Sequence, residues 1–210
     1  MKIEAIRFGM LRVPLKTPFK TAMRTVSEIA DVVILLETDD GRTGYGSAPA
    51  TAVITGETHG SIIEAIAKVI GPAVLDGDVR DLNRITDRIQ KSIVRNFSAK
   101  AAVEIALYDL FGQFYGAPIY RLLGGGDNVI TTDITISVDY IDKMVDDARA
   151  AAEAGFETLK VKVGKDPALD IERIKAIHAA VGDRALIRLD ANQGWTPKQA
   201  VAALRALEDS

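Results

Sequence analysis

The sequence predicts an α+β domain over residues 1–127, followed over residues 128–210 by an α/β segment that starts a (β/α)8-type barrel. Three observations predict it. The first part runs through extended segments and then helical ones, the order of an α+β domain. The second part alternates strand and helix three times, which calls for parallel strands joined by crossover helices. Its middle strand, in "ETLKVKVGKD", alternates so that Val161 and Val163 share one face and Lys160 and Lys162 the other.

The bulk properties exclude several classes. The chain has 210 residues, is 48% hydrophobic and 26% charged, and carries a formal net charge of −3. That balance fits a globular domain and gives no reason to expect nucleic acid or an anionic membrane as partner. No 18-residue apolar run is present, as a membrane-spanning helix requires. Glu4 and Arg7 interrupt any signal-peptide core. The absence of cysteine removes disulfides, thiolate metal sites and thiol nucleophiles, and is compatible with the cytoplasm, the expected location.

In the first domain, Ile6, Phe8 and Met10 alternate as on a half-buried strand. Asp31 to Thr38 is a second strand; it meets the turn Asp39-Asp40-Gly41, and Arg42 to Ser47 returns beside it. The period then changes. Ile62, Ile63, Ile66, Val69 and Ile70 mark a helix that Gly71-Pro72 stops. Leu82, Ile85 and Ile89 mark another. Ser98 is placed as the N-cap of a third, with Ala102, Ile105, Ala106 and Leu110 on its face, running to about Tyr115. Gly124-Gly125-Gly126-Asp127 reads as the domain boundary.

In the second domain, Thr131 to Val138 is a strand. A helix follows with Ile141, Met144, Ala148 and Ala152 on one face, then the strand Leu159 to Val163. The next helix carries Ile171, Ile174, Ile177 and Val181; Leu186 to Asp190 is the third strand. Thr196 or Asn192 can cap a last helix, with Pro197 in its first turn and Val201, Leu204 and Leu207 on its face. Parallel sheets need both faces covered, by an open doubly wound sheet or a closed barrel. The Gly-rich nucleotide loop of the open sheet is missing. A barrel points alternate residues into its lumen and keeps its active site at the C-terminal strand ends, which accounts for the lysines. A complete barrel takes about 250 residues, so this chain is expected to be the front portion of a longer protein.

The third strand ends in "IRLDANQGW", with Asp190 at its tip. If the strands are neighbours, Lys160, Lys162 and Asp190 converge. An internal salt bridge is one reading. Two ammonium groups on one carboxylate leave excess positive charge, however, and its burial calls for a further anion: more carboxylates, a substrate carboxylate, or both. An ammonium crowded by a second one and partly desolvated also loses its proton more readily, and a free-base lysine is a competent general base. Removing a proton next to a carboxylate further requires that the ene-diolate be stabilised, which a hard divalent cation on carboxylate ligands does.

"LKVKVG" followed by "RLDANQGW" resembles the signature of the enolase superfamily, muconate-lactonising subgroup, and the resemblance covers the whole chain. "TPFKTAMRTV", "VITGET", "SAKAAVEIALYD" and "TDITISV" resemble the dipeptide epimerases that interconvert L-Ala-D-Glu and L-Ala-L-Glu. The resemblance implies a capping domain followed by the first barrel strands, with a small dipeptide-like carboxylate as substrate, Mg²⁺ as cofactor and a homo-oligomeric full-length protein. Lys162 would be the base on one face of the substrate carbon, and Lys160 would stabilise the substrate carboxylate. Asp190 would be a Mg²⁺ ligand, supported by Asn192. Arg24 would bind a glutamyl side-chain carboxylate and Thr135 would face the substrate. Each has a plainer reading: Arg24 as a solvated loop charge, Thr135 as a strand residue, Asn192 as a helix cap, Trp195 as packing. Ser47 in "GYGSA" stands where many relatives carry an acidic residue. Two further metal ligands and an opposite-face lysine are expected downstream of residue 210, so residues 1–210 alone are expected to be inactive. A cycloisomerase, an o-succinylbenzoate synthase or an N-acylamino-acid racemase would use the same lysines, and a non-catalytic anion-binding module is the remaining alternative.

Overall fold

The computed structural model describes residues 1–208, so the last two residues of the expected second domain lie outside the described residues. The chain forms two compact units. One comprises Met1–Pro14 and Glu28–Asn128, the other Leu15–Ser27 and Val129–Ser210.

The first unit is built on a sheet of order β1-β2-β3, with β1 (Ile3–Lys20), β2 (Thr25–Thr38) and β3 (Thr43–Pro49). β2 and β3 are antiparallel, in register from Asp31 opposite Pro49 to Glu37 opposite Thr43. The alternating β2 residues Val32, Ile34 and Leu36 are fully buried, each contributing about 1.5–3 kcal/mol of hydrophobic stabilisation. β1 departs from expectation. Phe8 and Met10 are exposed, and Ile3 is its fully buried residue, because β1 is an edge strand and covering elements, not alternation alone, decide what a strand buries.

Above the sheet lie α1 (His59–Ala65), a π-helical turn (Ile66–Ile70), α2 (Gly71–Val74), α3 (Leu82–Ser92), α4 (Phe97–Tyr115) and α5 (Ile119–Leu122). Gly71-Pro72 does not stop the first helix. The π-turn lets the Gly71 N–H reach the Ile66 carbonyl, and the chain winds on through Pro72 to Val74. Ser98 is not the cap of α4. Asn96, left-handed at φ 51, takes that position, and the Glu57 carboxylate accepts from the Ser98 N–H (3.1 Å) and hydroxyl (2.8 Å). α4 lies directly on β3: a Cβ on Gly44 or Gly46 would collide with the carbonyl of Ala106 or Ala102. Only glycine permits that approach. Ala102, Ala106 and Leu110 are buried in the interface, whereas Ile105 points outward and is exposed.

The second unit alternates as expected: β4 (Ile134–Ile136), α6 (Ile141–Glu153), β5 (Thr158–Lys162), α7 (Pro167–Val181), a 3₁₀ turn (Gly182–Arg184), β6 (Leu186–Asp190) and α8 (Pro197–Ala206). The sheet is parallel in the order β4-β5-β6. β4 is shorter than the expected Thr131–Val138, because its exit pairs elsewhere. The Val138 N–H donates to the Lys20 carbonyl (3.3 Å), and the Lys20 N–H donates to the Ser137 hydroxyl (3.4 Å). Leu159, Val161 and Val163 are fully buried against Met144, Ala148, Ile174 and Ile177. Ala203 on α8 and Leu207 at its C-cap are buried while Val201 and Leu204 are exposed, so the buried stripe lies to one side of the expected one. Among the described residues no helix is long and apolar enough to cross a membrane.

One face of this sheet is therefore apolar and covered by helices. Period-two alternation puts Asp133, Thr135, Lys160, Lys162, Arg188 and Asp190 on the other. That division is what a barrel strand needs, with one face for the helices and one for the lumen.

Candidate active site

The parallel register sets Lys162 beside Asp190 and Lys160 beside Arg188 on the polar face, at the C-terminal ends of β5 and β6. Both ammonium groups converge on one oxygen: Lys162 Nζ lies 2.7 Å and Lys160 Nζ 3.1 Å from Asp190 Oδ2. Lys162 is 6% exposed and its Nζ lies 5.7 Å from the centroid of the Phe19 ring, within cation–π range. Asp190 Oδ1 accepts from the Asn192 N–H at 2.9 Å. The Asp190 carboxyl is held down to about 2, chiefly by the Lys162 hydrogen bond, with help from the Asn192 N–H and Lys160 against the opposing effect of burial. It is a carboxylate at any physiological pH.

The loop after β6 is bent to serve this arrangement. Asn192 and Gln193 are both left-handed, at φ 46 and φ 64, which turns the Asn192 N–H back onto Asp190. The support that Asn192 gives Asp190 thus comes from its backbone. Its side-chain Oδ1 is buried without a hydrogen-bond partner among the described residues. Thr196, not Asn192, caps α8, in a reciprocal box with Gln199.

Thr135 pairs in register with Lys160, placing it on the same face. It also lines a cavity of about 370 Å³ with Leu15, Pro18, Phe19 and Ser137. Arg24 closes a tight turn in the Leu15–Ser27 segment. Its carbonyl accepts from the Thr21 N–H (2.9 Å), and its own N–H donates to the Thr21 hydroxyl (3.2 Å). Its guanidinium makes no ion pair with a described residue. The structure thus brings Lys160, Lys162, Asp190, Asn192 and Thr135 together, and places Arg24 on the segment that carries Phe19. A roomier cavity, about 710 Å³ and lined by Phe97, Ile105, Tyr108 and Leu123 among others, includes none of these residues.

Four participants escape a reading of the sequence. Arg188 and Asp133 form an ion pair at 2.9 Å on the polar face. Three cations there meet two carboxylates, so the surplus positive charge persists. Extending the alternation two residues back from Asp190 and Thr135 would have found both. Phe19 has no local signal. Asp170, fully buried, accepts from the Trp195 indole N–H (3.2 Å), so Trp195 is more than packing.

Among the described residues no group of three or more His, Asp or Glu side chains could hold a metal ion. Asp190 fits as one hard oxygen ligand of Mg²⁺, an ion commonly held by one or two carboxylates together with substrate and water. The unpartnered Asn192 oxygen lies in the same loop and adds an acceptor without a donor.

Comparison with known proteins agrees with this fold. Residues 3–124 match the mandelate racemase / muconate lactonizing enzyme N-terminal domain, and residues 143–210 match the enolase C-terminal domain-like family. The L-Ala-D/L-Glu epimerase of Clostridium acetobutylicum is 49% identical over 209 residues, covering 100% of this chain and 58% of that protein. A substrate-liganded complex of the L-Ala-D/L-Glu epimerase from Bacillus subtilis superposes with a TM-score of 0.96 at 47% identity, over 100% of this chain and 58% of its own. A dipeptide epimerase from Enterococcus faecalis, complexed with Mg and the dipeptide L-Leu-L-Tyr, gives 0.95 at 40% identity, over 100% and 59%. This chain thus spans a little under three fifths of the relatives it matches. A capping domain of that N-terminal type, the first βα units of the barrel and a lysine pair on a strand-end aspartate make one conclusion: the chain belongs to the mandelate racemase / muconate lactonizing enzyme family of the enolase superfamily.

Proposed function

We propose that the protein carrying this chain is a Mg²⁺-dependent epimerase of dipeptides of the L-Ala-D/L-Glu type, with residues 1–127 as its capping domain and residues 128–210 as the start of its barrel. The observation that carries this reading is the convergence of Lys160 and Lys162 on Asp190 Oδ2 at adjacent parallel strand ends. The epimerases among its relatives support it.

Lys162 is the base. Once its proton has been released, its amine removes the hydrogen from the carbon next to the substrate carboxylate. Phe19 and its own burial keep bulk water from the amine. Lys160, more exposed and two residues back along β5, meets the charge that the substrate carboxylate takes on. Asp190 would be one Mg²⁺ ligand, and its backbone bond from Asn192 fixes its orientation. Bound Mg²⁺ would supply charge stabilisation at the substrate carboxylate. Thr135 lies on the substrate side of β4. Arg24, whose guanidinium is not engaged by a described residue, is the cation for a glutamyl side chain.

The test is exchange at the α-carbon. The complete protein is incubated with L-Ala-L-Glu and Mg²⁺ in D₂O, and α-deuterium is followed by NMR. Incorporation with formation of L-Ala-D-Glu, abolished in Lys162→Ala, is expected; exchange that persists in Lys162→Ala refutes the assignment of the base. A second reading keeps the chemistry and changes the substrate, since an N-succinyl-L-Arg/Lys racemase from Bacillus cereus is 32% identical over 99% of this chain. Preference for N-succinyl-L-Arg over L-Ala-L-Glu in the same assay would favour it.

A further inference from the structure

Behind the polar face lies a buried charge pair that the proposed reaction does not use. Asp170 sits in the first turn of α7 and is fully buried; Arg173, one turn on, is nearly so. Asp170 Oδ2 accepts from two loops at once: the Gly164 N–H at 2.7 Å and the Trp195 indole N–H at 3.2 Å. Asp170 Oδ1 accepts from Arg173 at 2.9 Å, and the Arg173 Nε–H donates to the Asp139 carbonyl at 3.1 Å. One ion pair thus holds the chain segments that leave β4, β5 and β6.

Those segments are the ones that aim the site. Gly164 follows Lys162 by two residues, and the Val163 N–H between them donates to the Asp190 carbonyl at 3.0 Å. Trp195 closes the loop that starts at Asp190. A single carboxylate oxygen therefore joins the exit of the lysine strand to the exit of the aspartate strand. A charged group takes more than one strong hydrogen bond where a neutral side chain of the same size makes weaker ones. An unpaired charge so deeply buried would be costly, and here each member of the pair neutralises the other and makes a further hydrogen bond to the backbone.

We propose that Asp170 and Arg173 are positioning residues for the reaction, setting the placement of Lys162 against Asp190 by clamping the three strand exits. This rests on the epimerase reading. It goes beyond that reading by assigning part of the rate to a pair that touches neither substrate nor metal. Displacement of a reacting group by about 1 Å can cost 10²-fold in rate, so a clamp at this place acts on kcat before it acts on KM.

The test uses the complete protein. Asp170→Asn removes the charge that Arg173 faces. Asp170→Asn/Arg173→Gln removes both charges, so that no buried guanidinium is left unneutralised. Expected for both is a kcat lowered at least about tenfold and a KM within about twofold of the parent. A folded double variant with parental kcat overturns the proposal, as does a rise in KM with kcat kept. Should the charge variants fail to fold, Trp195→Phe deletes the indole donor alone; a lowered kcat supports the clamp and a parental kcat overturns it. If the parent itself shows no α-hydrogen exchange, the proposed reaction falls, and the clamp is then judged by crystallography. A Lys162–Asp190 separation in the double variant lengthened by about 0.5 Å or more supports it, and an unchanged separation overturns it.

Discussion

Gly194 packs its Cα against the carbonyl of Gly164, so closely that a methyl group on Gly194 would overlap that oxygen. Gly164 in turn faces the Ala191 carbonyl and holds φ at +109, where a side chain is strained whatever the space. The loops leaving β5 and β6 are thus in backbone contact. Gly194→Ala is expected to destabilise the protein by about 1–3 kcal/mol through overpacking alone. Gly164→Ala adds the strain of a left-handed backbone and is expected to cost more. Urea denaturation of the two variants beside the parent checks the order; equal stability of all three would mean that the loops separate freely.

How far the sequence discloses this site depends on the range of the interactions. Lys160, Lys162 and Asp190 were legible because strand alternation and strand-end position are local properties, and both survive in the structure. Arg188 obeys the same alternation as Asp190, yet without a visible partner it reads as surface charge; Asp133, its partner, is 55 residues away. Asn96 and not Ser98 caps α4 for a similar reason. Ser98 looks like a cap in its own window, but Glu57, 41 residues earlier, takes its N–H. Gly71-Pro72 read as a stop, because a π-turn that absorbs a proline has no local signature. Phe19 reaches Lys162 through a segment far from it in the chain, and no periodicity announces such a contact.

The Lys20–Asp139 pair, 2.5 Å apart, ties the Leu15–Ser27 segment to the exit of β4. The Asp139 carboxyl lies below its ordinary value, first because Lys20 donates to it and also through the Tyr140 N–H. A carboxyl lowered by folding contributes stability that is fully present above its unfolded value, near 3.9, and lost as pH falls through the lowered value. Below about pH 4 this tie is therefore expected to weaken. In Lys20→Met the Asp139 side-chain carbon should titrate closer to its ordinary value in an NMR pH series. A midpoint unmoved by the substitution would show that Lys20 is not the cause.

Glu57 bridges to the start of α4 with both carboxylate oxygens on Ser98. It sits where a helix N-terminus favours negative charge. Replacing an N-terminal capping group commonly costs about 0.5–2 kcal/mol, and Glu57 is buried. Glu57→Ala is expected at the upper end of that range. Ser98→Ala, which keeps the N–H and loses only the hydroxyl donor, is expected at the lower end. Thermal unfolding should rank them in that order, and the reverse order would show the hydroxyl to be the main tie.

Asp190 meets two ammonium groups, one of them buried, so its removal should not be neutral. Asp190→Asn retains the volume and an acceptor but leaves the nearly buried Lys162 ammonium without a counter-charge. Breaking a fully buried pair costs about 3–5 kcal/mol. Asp190 is only partly buried, so the smaller part of that range, or somewhat below it, is expected. Lys162→Met in the same background should recover much of the loss, because the residual cost belongs to the unpaired charge and not to the missing carboxylate. Lys160→Met should recover less, since Lys160 is more exposed and can keep its charge in water. A double-mutant cycle by urea denaturation separates the cases. Strong coupling of Asp190 to Lys162 and weak coupling to Lys160 identifies the buried lysine as the residue that Asp190 chiefly neutralises. Equal coupling would mean that the two ammonium groups share the carboxylate alike, and the distinct roles proposed for them would lose their structural basis.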